Sequence, residues 1–125
     1  MTLPDNWNEE DTEHPIPYPG KIDVLTTTAE GTTYYGLVIA APMEADERSQ
    51  RRLLKKLEDY ASDRHSEKAI NKYGKPTPQN TRLTVAVHPG SDQVIFELLT
   101  RCLPWLEECG FNVEVTTDAK ILSLH

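Results

Sequence analysis

The chain has 125 residues, of which 38% are hydrophobic and 26% are charged, and its formal net charge is −7. This length and composition are typical of one soluble domain around a single core, without a membrane-spanning run. The excess of acids argues against general nucleic-acid binding, which needs cations for the phosphates, and the acidic N-terminus does not resemble a secretion signal. We therefore expect a cytoplasmic protein.

The first 20 residues form a segment rich in acids and proline, without lysine or arginine. Such a composition is typical of an extended or disordered arm. Two alternatives stay open for it. The arm is either a loose leader, or it packs on the domain through Trp7, Ile16 and Tyr18.

Two runs rich in β-branched and aromatic residues follow, at residues 21 to 27 and 32 to 40. The Ala29-Glu30-Gly31 segment between them is typical of a hairpin loop, so both runs are predicted to be strands. The second run is apolar on both of its faces. It is therefore predicted to be a central strand of the sheet.

A first helix is predicted from Ala45 to about Ser62, with a narrow apolar stripe that lays one edge on the core. Five basic residues lie between Arg48 and Lys56. We interpret them as a solvated helix face neutralised by neighbouring acids, with binding of phosphate or of an acidic partner as the alternative. After this helix, residues 64 to 81 are predicted to form a long loop, with a further helical turn around Glu67 to Ile70 as the alternative.

A strand, a helix and a second strand are predicted within Arg82 to Thr117, because polar and apolar residues alternate on both sides of a helical pattern. The helix is expected from about Asp92 to Cys109, with Ser91 as its N-cap and Gly110 as its end. Its broad apolar arc comprises Val94, Ile95, Leu98, Leu99, Cys102, Leu103, Trp105, Leu106 and Cys109.

Two further features of this helix bear on chemistry. Pro104 falls on its polar side, where we expect it to face water. Cys102 and Cys109 lie about two turns apart, too far for a disulfide, so we interpret them as buried thiols. The four histidines are scattered, and neither a metal site nor a cofactor is predicted.

The predicted order β-β-α-β-α-β is that of an α+β two-layer sandwich, a mixed sheet of about four strands with both helices on one face. The domain is predicted over residues 21 to 117, after the arm of residues 1 to 20 and before a tail of residues 118 to 125. The other sheet face should be polar and exposed. It would display Lys21 or Asp23, and Arg82, Thr84, His88, Asn112, Glu114 and Thr116.

Three short patterns stand within this domain: Ile22-Asp23-Val24-Leu25, Lys56-Leu57-Glu58-Asp59-Tyr60 and Glu107-Glu108-Cys109-Gly110-Phe111. With them, most of residues 21 to 117 resembles a family of small uncharacterised bacterial α+β domains. The resemblance implies the same fold. It implies no activity and no catalytic residues.

His88 ends a predicted strand, just before the Pro89-Gly90-Ser91 turn and a helix N-terminus, where a histidine and free N–H groups can meet an anion. No nucleophile and no set of oxyanion donors accompanies it, so an exposed histidine at a strand end is the simpler interpretation. Enzymatic activity is not predicted.

We expect a non-catalytic module for protein interaction or self-association, whose partner is another protein or a second copy. The candidate contact residues are Arg82, Thr84, His88, Asn112, Glu114, Lys72 and Lys75. The alternative is a binding domain for an anionic metabolite, or a weak enzyme, at a mouth between the His88 turn and the basic loop that carries Lys72 and Lys75.

Overall fold

The structure, a computed structural model, describes residues 14–16 and 22–117. The elements in chain order are β1 (Val24–Thr27), β2 (Thr33–Ile39), α1 (Glu47–Arg64), α2 (Glu67–Tyr73), β3 (Thr81–Val87), α3 (Gln93–Glu108) and β4 (Asn112–Thr116). The predicted α+β class is confirmed. The helix α2 is an addition to the predicted order.

The four strands form one mixed sheet in the order β1-β2-β3-β4. β1 pairs with β2 in an antiparallel hairpin, whereas β2, β3 and β4 run parallel. Parallel neighbours need a crossover, which α1 and α2 supply between β2 and β3 and α3 supplies between β3 and β4. The predicted hairpin and the central position of β2 are confirmed.

The core lies between one face of the sheet and the helices. Alternate residues of β2 and β3 share a cluster with α1 and α3, and its members include Tyr35, Leu37, Ile39, Leu83, Val85, Val87, Leu53, Leu57, Ile95, Leu99 and Leu106. Because both long helices contribute to the same cluster, they cover the same sheet face. Full burial of each large apolar side chain contributes about 1.5–3 kcal/mol, so this layer dominates the stability.

The helix α1 buries charged side chains as well as leucines. Arg52 is 0% exposed and Lys56 is 1% exposed, so interpreting the whole basic run as a solvated face is wrong for these two residues. Their long aliphatic stems fill the edge of the core, and their charged ends reach specific partners. The Nε and Nη2 groups of Arg52 donate to the Ile16 carbonyl, and Lys56 Nζ lies 2.6 Å from Asp23 Oδ1.

The outer residues of the basic run behave as expected. Arg51 pairs with Glu47 at 2.7 Å, and Lys55 pairs with Asp59 at 2.9 Å, one helical turn along the surface in each case. Helical pairs of this kind contribute little stability, about 0.3–0.5 kcal/mol each.

Part of the N-terminal arm packs on the domain. Ile16 is 1% exposed within the core cluster, and its carbonyl accepts the hydrogen bonds from Arg52. This favours the docked alternative for the described part of the arm. Trp7 and Tyr18, the other residues predicted to dock, lie outside the described residues, as does the predicted tail.

Replacing Ile16 with alanine should lower the free energy of unfolding by about 2–3 kcal/mol, because it empties a site in the core. Leu25, which is 40% exposed, is the matched control, and Leu25→Ala should cost less than about 1 kcal/mol. Urea denaturation of both variants measures the difference. Equal values would mean that Ile16 contributes no more than a surface residue.

The segment after α1 is more ordered than the predicted loop. Ser66 caps α2 by accepting a hydrogen bond from the Ala69 N–H, and Gly74 ends the helix with φ at 81°. Arg64, which is 0% exposed, donates from Nη1 to the Gly74 carbonyl at 2.7 Å and from Nε to Thr81 Oγ1 at 3.2 Å. This side chain therefore ties the end of α2 to the start of β3.

The start of α3 differs from the prediction. Asp92 is the N-cap, with its carboxylate accepting a hydrogen bond from Val94 N–H at 2.9 Å. The Ser91 hydroxyl accepts instead from Met43 N–H at 3.1 Å, because the turn before α3 lies against the segment between β2 and α1. Ser91 therefore links two loops rather than starting the helix.

Along the rest of α3, the broad arc is only partly buried. Trp105 is 38% exposed, although the arc predicted it to be in the core. The buried side of α3 is narrower than the arc and consists of Ile95, Leu98, Leu99, Cys102 and Leu106. Pro104 is exposed on the polar side as expected, and α3 continues through it. Cys102 is buried and Cys109 is half-buried, and both are free thiols.

Candidate functional site

The register of the parallel strands brings four predicted contact residues together. Arg82 lies opposite Asn112, and Thr84 lies opposite Glu114. Because Leu83 and its alternate neighbours face the helices, these side chains belong to the other sheet face. On the far side of β3, Arg82 lies opposite Tyr34 of β2.

These residues surround a shallow cavity of about 190 Å³ that we call the sheet-face depression, lined by Tyr34, Arg82, Thr84, Asn112 and Glu114. Thr84 is 9% exposed and forms its floor, while Arg82, Asn112 and Glu114 are exposed around it. The sequence prediction omitted Tyr34, since only the pairing of β2 with β3 reveals that it borders Arg82.

Four polar side chains of the depression have no hydrogen-bond partner among the described residues. The Arg82 guanidinium lies 6.0 Å from the centre of the Tyr34 ring, a cation–π contact that leaves its N–H groups accessible. Among residues 14–16 and 22–117, no hydrogen bond or ion pair engages the side chains of Arg82, Thr84, Asn112 or Glu114. They present both donors and acceptors to a ligand.

The accessible part of this face is its half near the N-terminal ends of β3 and β4. Further along β3, Ala86 is only 2% exposed, and its neighbours Val38 and Thr116 are half-buried. Placing Asp23 on this face is wrong, because its carboxylate turns to Lys56 on the helix side. The alternative residue Lys21 lies outside the described part of the chain.

His88 is remote from the depression. Six positions separate it from Arg82, about 20 Å along a strand. Its Nδ1 accepts the Gly90 N–H at 2.9 Å, and the N-terminus of α3 beside it is occupied by the Asp92 carboxylate. One nitrogen of the His88 ring and one N–H of the first turn of α3, two of the groups that were expected to meet an anion, thus already have partners within the described chain.

The two loop lysines lie at the other end of β3. Lys72 Nζ is 5.3 Å from the centre of the Tyr73 ring, and Lys75 is exposed on the segment that leads into β3. Since His88 follows the last residue of β3 and both lysines precede its first, the structure places the two halves of the predicted metabolite mouth at opposite strand ends.

A serine and a histidine in contact were missed by sequence reasoning, because they lie 35 positions apart: His14 Nε2 is 2.9 Å from Ser49 Oγ. His14 Nδ1 accepts the Ile16 N–H, so the ring hydrogen is on Nε2 and the hydroxyl accepts it. The imidazole therefore has no free lone pair for the serine proton, and Ser49 is only 3% exposed. This contact anchors the arm and does not activate a nucleophile.

The two cysteine thiols are also unreactive, and the described residues provide no metal site. Burial raises the pKa of the Cys102 thiol and of the Cys109 thiol, which keeps both protonated and poorly nucleophilic. In the described ranges, no group of three or more histidine, cysteine, aspartate or glutamate side chains could hold a metal ion. Among the described helices, none is both long and apolar enough to cross a membrane.

The sheet-face depression is thus the place where predicted contact residues converge. It unites Arg82, Thr84, Asn112 and Glu114, and it leaves out His88 and the loop lysines. Compared with protein-family models, with curated proteins and with solved structures, the chain has no match.

Proposed function

We propose that this protein is a non-catalytic interaction module that binds a polypeptide through the sheet-face depression. One observation carries the proposal: four adjacent polar side chains surround the depression and have no hydrogen-bond partner within the described chain. Because Arg82, Asn112 and Glu114 are exposed, water solvates them in the free chain, and a partner that covers them has to replace those hydrogen bonds. A polypeptide supplies both donors and acceptors and can do so.

The scaffold suits binding because the contact residues are held on paired strands. Thr84 lies on β3, which pairs with β2 on one side and with β4 on the other. Side chains on such a scaffold lose less conformational freedom on binding than side chains on loops. Arginine and tyrosine, here stacked as Arg82 and Tyr34, are also the residue types that contribute most to protein interfaces.

The binding of an anionic metabolite has less support. Glu114 lines the depression beside Arg82, so an anion would meet a carboxylate there as well as a guanidinium. At the other end of β3, the His88 ring and the α3 N-terminus are engaged by Gly90 and by Asp92. The polypeptide partner therefore fits the mixed charge of the site better.

The proposal also places the protein in the cytoplasm and among the small bacterial α+β domains that its sequence resembles. Two free cysteines that stay protonated are compatible with a reducing compartment. The patterns that carry the resemblance lie mainly on the helix side. They include Tyr60, which is 0% exposed, and they bear on the fold rather than on the interaction surface.

The experiment that tests the proposal is site-specific photo-crosslinking in the cells that normally make the protein. A photoreactive side chain at Asn112 should give a crosslinked adduct, and the adduct should weaken at least tenfold when Arg82→Ala and Glu114→Ala are added. The matched control places the same group at Glu97, which is exposed on α3. Adducts of equal yield at both positions, or none at Asn112, would contradict the proposal.

A further inference from the structure

We infer that the polypeptide bound at the sheet-face depression is a second copy of this chain, packed face to face so that Arg82 of each copy meets Glu114 of the other. The inference rests on the proposed function, because it names the partner of the same surface. Its basis is the arrangement of charge on that surface.

Each copy presents one cation and one anion that are close together but unpaired. Arg82 lies opposite Asn112, and Glu114 stands two residues further along β4, a diagonal separation of about 7–8 Å. Arg82 turns away from this diagonal toward Tyr34 on β2. Each charge therefore remains available to a group of opposite sign from outside.

A two-fold axis can satisfy both charges at once. If the axis lies in the interface and perpendicular to the line from Arg82 to Glu114, it exchanges these two positions, and two equivalent ion pairs form. Asn112 then falls near the axis, where it meets its own counterpart, whereas Thr84 lies deeper, on the floor of the depression. A carboxamide can both donate and accept, so this like pair is also complementary.

The same construction fixes the angle between the two sheets. With strands about 4.8 Å apart and a rise of about 3.3 Å per residue, the axis lies about 54° from the strand direction. The strands of the two copies then cross at about 70°, toward the orthogonal class of sheet packing.

The dimer should be weak. Only half of the sheet face is accessible, as the burial of Ala86 indicates, so the contact falls well below the standard interface of about 1,600 Å². Each copy also has a net charge of −7, although at physiological salt charges more than about 8 Å apart are largely screened. We expect dissociation constants in the micromolar range or weaker.

A charge-swap experiment on the full chain tests the inference by sedimentation equilibrium, from micromolar to about millimolar protein. The wild type should associate reversibly, and Arg82→Glu or Glu114→Arg alone should each weaken association at least tenfold. An equimolar mixture of the two variants should associate as the wild type does. In that mixture the acid at position 82 faces the base at position 114, and the unchanged Glu114 faces the unchanged Arg82.

The matched control is Arg101→Glu, a charge reversal on the exposed side of α3, which should leave association unchanged. The double variant Arg82→Glu with Glu114→Arg should also associate. In it the acid at position 82 of each copy faces the base at position 114 of the other, so both ion pairs form with their charges exchanged. The second-copy inference would be overturned if the mixture associated no more strongly than either variant alone. It would also be overturned if the wild type stayed monomeric over the whole concentration range. In that case a crosslink from Asn112 to a different protein would leave the proposed function standing, and no crosslink would remove both.

Discussion

Asp23→Asn is expected to lower the free energy of unfolding by about 3 kcal/mol, because it leaves the Lys56 ammonium buried without this carboxylate. The Lys56 side chain is 2% exposed, and its Nζ lies 2.6 Å from Asp23 Oδ1. The second oxygen of Asp23 accepts the Val38 N–H at 2.9 Å, so one carboxylate serves both α1 and β2. The 24% exposure of the Asp23 side chain keeps the expected loss at the lower end for a buried pair.

A double-mutant cycle isolates the pair. Lys56→Met alone should cost about 2 kcal/mol, and the double variant should be more stable than the sum of the two losses by at least about 1.5 kcal/mol. The matched control is Glu47→Gln, which breaks the exposed pair with Arg51 and should cost about 0.5 kcal/mol or less. If Asp23→Asn is as mild as this control in urea denaturation, the buried pair is not a stabilising contact.

Gly110→Ala is expected to cost about 3–4 kcal/mol through two separate effects. Gly110 has φ at 92°, where a side chain is strained by about 1–3 kcal/mol. A Cβ at this position would also lie 2.5 Å from the Pro76 carbonyl oxygen, which forces the segment before β3 to move, at about 1–3 kcal/mol more. The turn after α3 and the segment before β3 are thus packed backbone against backbone.

Gly31 separates the two effects, because its φ is 91° but no atom lies within 4 Å of the position of a Cβ. Gly31→Ala should therefore cost about 1–2 kcal/mol, from strain alone. Both free energies can be measured by urea denaturation at one pH. Equal losses for the two variants would show that the close approach of Pro76 places no constraint on the turn.

Much of the fold was predictable because its signals are local. The alternation of polar and apolar residues predicts β3 and β4, and Gly110 predicts the end of α3 within one residue of the observed Glu108. The hairpin follows from two strand-forming runs around Gly31. Each of these features is determined by a few consecutive residues, so tertiary contacts change it little.

The buried charges of α1 could not be predicted in the same way. The run of basic residues predicts a solvated face for Arg52 and Lys56, whereas their burial depends on acceptors at Ile16 and Asp23. These acceptors lie more than 30 positions earlier in the chain. Burial of a charge depends on such remote partners, which a local pattern does not contain.

For the candidate site, alternation predicts that Arg82 and Thr84 share a face, and likewise Asn112 and Glu114. Alternation does not predict that the Arg82–Thr84 pair lies beside the Asn112–Glu114 pair, because this depends on the pairing of β3 with β4. The place of Tyr34 beside Arg82 likewise depends on the pairing of β2 with β3. His88 and the loop lysines were grouped by their chemistry alone. The direction of β3 separates them, because a strand of seven residues stands between its two ends.

The order of the sheet also bears on how the protein is made. Each described strand after β1 pairs with the strand before it in the chain, so a nascent chain can add these strands in order as it leaves the ribosome. The β2–β3 pairing still spans 48 positions, from Thr33 to Thr81, and has to wait for α1 and α2 to be made. Among the described strands β4 joins last, and it brings Asn112 and Glu114. A nascent chain that ends after β3 carries Arg82 but not Glu114, so in the dimer we propose it could form only one of the two ion pairs with a complete copy.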